Sequence, residues 1–101
     1  MVIYNVTVKV ETQIASEWLQ WIMEEHIPDV MQTNCFFDNK VLRLLEVDDT
    51  EGPTYAIQFY AKSIVDYNRY LEIHATKMRE KTREKWGEQL ITFRSVMEVV
   101  K

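Results

Sequence analysis

The sequence predicts an α+β domain in which strands and helices follow one another as β-α-β-β-α-β. Four segments alternate apolar and polar residues with a period of two, and two longer segments repeat apolar residues at three and four. Most of the turn-forming residues fall between these segments. With two Gly and two Pro in 101 residues, long irregular linkers are not expected, and a chain of this length builds one core. A single domain over residues 1–101 is the expected organisation.

Val2, Tyr4, Val6, Val8 and Val10 alternate with Ile3, Asn5, Thr7 and Lys9, which predicts a first strand with one buried face. From Ile14, the positions Ala15, Trp18, Leu19, Ile22 and Met23 follow helical spacing. Pro28 lacks an amide donor and disfavours helical geometry at Ile27, so this helix is expected to end or bend near His26 and to give way to a short turn. Residues 35–47, rich in β-branched and aromatic side chains, predict a second strand, and the turn-rich DDTEGP separates it from TYAIQFYA, the third. Ser63 and Asp66 have the spacing of a capping box, so a second helix starts there. Its stripe runs through Tyr67, Tyr70, Leu71, His74 and Met78, and Gly87 suits its C-terminal cap. LITFRSVMEVV alternates again and predicts the fourth strand.

This order is that of a ferredoxin-like sandwich, a four-stranded antiparallel sheet with two helices on one face. The helices leave the other face uncovered. On the expectation that the most apolar side of each strand lies under the helices, the open side holds Ile3, Ala56, Tyr60, Leu90 and Val96 beside Asn5, Gln58, Thr92, Arg94 and Glu98. A mixed surface of this kind marks association, and closing two copies face to face makes a homodimer, a dimeric α/β barrel. Arg94 and Glu98 are then expected to set the register between copies, the competing reading being that Arg94 holds an anionic substrate.

The segments IYNVTVKV, EWLQWIMEEHIPDVM, VLRLLE, TYAIQFYAKS, DYNRYLEIHA and FRSVMEVV together resemble a small bacterial domain family of unknown function within the dimeric α/β-barrel superfamily. The resemblance spans nearly the whole chain and implies the ferredoxin-like fold and side-by-side dimerisation, with no activity attached. The wider superfamily includes cofactor-free monooxygenases, decyclising or isomerising enzymes, haem-degrading enzymes and ligand sensors.

Composition narrows the partners. A net charge of −4 opposes a grip on phosphate backbones or anionic lipid, so neither nucleic acid nor membrane is expected. The third strand also lacks the basic residue and glycine of an RNA-recognition motif. A single cysteine, Cys35, allows no intrachain disulfide, and the N-terminus has no signal-peptide pattern, which fits a cytoplasmic protein. No phosphate loop or nucleophile elbow is present, and no cofactor is expected.

Among polar residues, His26 stands out. At about 100° per residue, Ala15, Leu19, Ile22 and His26 share one side of the first helix, so the imidazole points inward beside the expected break. There it serves either as a general acid or base, or as a core histidine bonded to backbone. His26-Ile27-Pro28 also looks like a feature of superfamily enzymes that use this histidine in their pocket. His74 falls on the second helix's stripe, but two histidines without a third ligand do not make a metal site. Trp18, Ile22, Tyr55, Phe59 and Tyr67, with His26 and His74, form the expected lining for a small apolar ligand between helices and sheet; packing alone is the competing role of these aromatics. Three functions follow as expectations: a homodimeric small-ligand binder, a cofactor-independent monooxygenase- or isomerase-like enzyme using His26, or a structural dimer with a filled core. The run Lys77–Lys85 alternates in sign and is expected to face water.

Overall fold

The computed structural model describes all residues, 1–101. Strands β1 (Val2–Val10), β2 (Asp38–Arg43), β3 (Thr54–Ala61) and β4 (Leu90–Glu98) form one antiparallel sheet in the order β2-β3-β1-β4. Helical segments α1 (Ala15–Trp21) and α2 (Ile27–Met31) lie between β1 and β2, and α3 (Ile64–Ile73) and α4 (Ala75–Trp86) between β3 and β4. This is the expected α+β, ferredoxin-like arrangement. No helix is long and apolar enough to cross a membrane.

One hydrophobic cluster holds the layers together. Tyr4 sits at its centre, with ring centroids 5.5 Å from Tyr67, 5.6 Å from Tyr70, 6.1 Å from Phe36 and 6.2 Å from Phe59. Trp18 and Phe59 are fully buried in the same cluster. Burying aromatic side chains of this size is the largest favourable contribution to such a core, at about 1.5–3 kcal/mol for a Phe.

Local signals explain several boundaries. Ser63 Oγ accepts from the Asp66 amide at 3.4 Å and caps α3 as the spacing predicts. Gly87, at φ +60°, ends α4, its amide donating to the Arg83 carbonyl. Gly52, at φ +140°, lies against the end of β1, where a Cβ would collide with the Val10 carbonyl. That contact seats the loop between β2 and β3, which Thr12 and Val10 hold by amide bonds to Glu51 and Pro53.

Three expectations are corrected. The first helix does not stop at His26: residues 22–26 form a widened π turn and the chain stays helical to Met31. Pro28 cannot donate one turn back, and the wider turn relieves the crowding its ring would cause. The second helix is interrupted at His74, although the His74 amide still donates to Tyr70 and its carbonyl accepts from Met78. The third correction concerns β4. Val6 pairs with Arg94, Val8 with Thr92 and Val10 with Leu90, and directly paired residues share a face. Leu90, Thr92, Arg94, Val96 and Glu98 therefore lie on the helix side, while Ile91, Phe93, Ser95 and Met97 lie on the open side. Arg94 and Glu98 are consequently not on the face where they were expected to join two copies. The reason is the edge position of β4: polar side chains at a sheet rim reach water past the helices, so alternation alone does not choose the side.

On the open face, Asn5 donates to Thr7 Oγ1 at 2.9 Å and to Ser95 Oγ at 3.4 Å, and accepts from Gln58 at 3.3 Å. Tyr60 extends the chain by donating to Gln58 at 2.8 Å. Apolar side chains flank this polar ladder, with Phe93 70 % and Ile91 57 % exposed.

Candidate functional site

The π turn decides where His26 points. Ile27 donates its amide to Ile22, five residues back, and the extra residue in that turn leaves His26 at its C-terminal end. The imidazole stacks on Trp21, centroids 5.0 Å apart, and Trp21 meets Trp86 edge-on at 5.9 Å. Trp21 thus packs within the chain between His26 and Trp86. Neither ring nitrogen of His26 has a hydrogen-bond partner in the chain, so the backbone-bonded core histidine does not form. Burial lowers its pKa to about 4; Asp29 opposes that shift, while Lys81 and Arg94 add to it. At neutral pH the ring carries no charge, and its nitrogens remain one donor and one acceptor.

A cavity of about 40 Å³ opens beside His26 between the helical layer and the sheet. Trp18 and Ile22 line it from the first helical run, and Tyr70, Met78, Arg79 and Thr82 from the second. The sheet supplies Tyr4, Val6, Val8, Ile57, Phe59, Leu90, Thr92 and Arg94. At about 10–15 Å³ for one enclosed water, this space takes a few small heavy atoms rather than a whole organic molecule. Its polar lining is cationic or neutral, with no carboxylate among the fifteen lining residues. Arg79 Nη2 donates to Tyr4 Oη at 3.4 Å, while the buried Nε of Arg79 has no partner. Burial pushes the Tyr70 phenol above its usual range, and the neighbouring Tyr4 hydroxyl adds to that, so Tyr70 stays a neutral hydroxyl.

Of the residues expected to line a pocket, Trp18, Ile22, His26 and Phe59 meet here. Tyr55 instead packs against Trp18 with tilted rings 5.5 Å apart, Tyr67 packs on Tyr4, and His74 stacks on Tyr70 at 6.2 Å at the α3/α4 junction. None of these three reaches the cavity, and the two histidines do not share it. Sequence reasoning missed Arg79 and Thr82, and placed Thr92 and Arg94 on the open face instead of here. A signal existed for the first two: Ala75, Arg79, Thr82 and Trp86 recur at four, three and four, a helical face hidden inside a run read by charge alone. No three metal-ligating side chains gather anywhere in the chain.

A family model for a domain of unknown function (DUF4286) matches residues 1–100. The chain belongs to that family. No curated protein matches this DUF4286 chain. Among solved structures, it is similar to an ethyl tert-butyl ether d (EthD) family protein of Bacillus halodurans, with TM-score 0.65 and 14 % identity, covering 99 % of this chain and 100 % of that one. A dimeric ferredoxin-like protein from an uncultured marine organism gives TM-score 0.64 and 11 % identity, over 99 % and 95 % of the two chains. A protein of Deinococcus radiodurans proposed to be an antibiotic biosynthesis monooxygenase gives 0.60 and 13 %, over 100 % and 94 %. At these identities the likeness establishes the fold of the DUF4286 chain and nothing of its chemistry.

Proposed function

We propose that this chain acts as a homodimeric, cytoplasmic protein of one domain that binds a small molecule between its helices and sheet. One observation carries the binding part: the cavity touches His26, and ten of its fifteen lining residues are hydrophobic. The cavity receives one end of such a molecule. Met78, with three rotatable bonds, is the wall best able to yield to the rest. His26, neutral and without a partner in the chain, supplies a directional hydrogen bond. The dimer part is supported by the open face, where Phe93, Ile91, Leu42 and Met97 stay exposed around the Asn5 ladder. Exposed apolar side chains flanking a polar ladder in this way are what a second copy covers.

A proton-transfer enzyme of monooxygenase or isomerase type, with His26 as base, fits less well. General bases work best with a pKa near the working pH, and burial holds His26 far below it. Native mass spectrometry of the protein purified from its own host tests both parts. The expected result is the mass of two chains with a small molecule retained. A single bare chain overturns the reading. Loss of the retained molecule in His26→Ala, with dimer mass unchanged, places the ligand at this cavity.

A further inference from the structure

The cavity has a charge asymmetry that its apolar walls conceal. In a chain of net charge −4, two arginines converge on it, Arg79 from α4 and Arg94 from β4, with no carboxylate among the lining residues. Arg43 and Arg69, elsewhere in the fold, each hold an aspartate at 3.2 Å. Arg79 and Arg94 hold none. Arg79 also keeps its Nε–H buried without an acceptor, a desolvated donor on a permanent cation. The nearest acid that His26 senses, Asp29, is engaged at 3.6 Å by Lys81. Thr82 and Thr92 add hydroxyls to the same lining.

We infer that Arg79 and Arg94 receive the carboxylate of a small monocarboxylic acid, whose apolar body extends from the cavity past Met78, the wall best able to yield. The inference rests on the small-molecule reading of the cavity and names the chemical class of its ligand. A planar carboxylate matches the guanidinium fork, and its size suits a space of about 40 Å³. A dianionic phosphoryl group would bring a larger desolvation cost into walls that are mostly hydrophobic. One guanidinium comes from the helical layer and the other from the sheet, so a bound carboxylate would bridge the two layers.

Calorimetric titration of the full chain with benzoate, benzamide and inorganic phosphate tests the assignment. Benzoate is expected to bind at least about tenfold more tightly than its neutral isostere benzamide, since a charge-assisted bond replaces a neutral one. Arg94→Gln, at an exposed position that leaves the core intact, is expected to remove that preference, and Arg94→Lys to restore part of it. Phosphate is expected neither to bind nor to displace benzoate. Equal binding of benzoate and benzamide, unaltered in Arg94→Gln, overturns the carboxylate assignment and leaves the small-molecule site standing. Binding of phosphate in preference to benzoate overturns it in favour of a phosphoryl ligand. Failure of all three to bind overturns both the assignment and the site.

Discussion

The two faces of the sheet use the same four strands and are built for different surroundings. Under the helices, Tyr4, Ile57 and Phe59 form an aromatic and aliphatic floor, and the polar exceptions Thr92 and Arg94 gather at the rim by β4. On the open side the plan is reversed. Polar Asn5, Gln58 and Ser95 hold the middle, and Phe93, Ile91, Met97 and Leu42 surround them. Asn5 is only 7 % exposed although no helix covers it, because neighbouring side chains close around its hydrogen bonds. A covered face tolerates polar groups where they meet a cavity; an uncovered face keeps apolar groups where another surface is to meet them.

Four substitutions sharpen or break that contrast. Phe59→Ala, on the covered face, is expected to cost about 3–5 kcal/mol in urea denaturation, because it removes a fully buried ring and leaves a void. Phe93→Asp, its counterpart on the open face, is expected to leave the far-ultraviolet circular dichroism unchanged. It should weaken association by about 3 kcal/mol, read as a fall from two chains to one in light scattering. An unchanged mass for Phe93→Asp would mean that the open face is not the contact between copies.

The third test is pH. An unfolded histidine titrates near 6.5 and folded His26 near 4, so between these values the unfolded chain binds the extra proton. Stability is therefore complete above about pH 6.5 and lost as the pH falls toward 4. The loss is about 2 kcal/mol once partial exposure is allowed for. His26→Gln should flatten this slope in denaturation series at pH 7.5 and 4.5, and an identical slope would show that His26 is not desolvated. The smallest effect is expected for Asn5→Ala, about 1 kcal/mol in the same assay, for the loss of its bonds to Thr7, Ser95 and Gln58.

The element order and most strand limits were legible because they depend on nearest-neighbour periodicity, as in Val2–Val10, and on caps such as Ser63 and Gly87. The side of β4 was not. Ile91, Phe93 and Met97 look like a core stripe because the pattern records that an apolar face will be covered, without recording what covers it. Part of the candidate site was visible in Trp18, Ile22, His26 and Phe59, four of its fifteen lining residues, all on apolar stripes. Arg79 was hidden by its own charge, which in a linear sequence reads as solvent exposure, and Arg94 by the misassigned side of β4.

The π turn has a further consequence for how this helix tolerates change in length. Its buried positions are Trp18, Ile22, Ile27 and Val30, so the spacing of four, five and three contains one residue more than an ordinary helix needs. Deleting Glu25 while exchanging Pro28 for Ala would restore spacings of four, four and three, with the anchors before and after the deletion still seated. His26 would then follow Ile22 by three residues instead of four, so its imidazole is re-aimed while the anchors stay in place. Scaffold and candidate chemistry are thus separable by one deletion and one substitution, and a shortened chain that folds normally but no longer retains its ligand would be the sign of it.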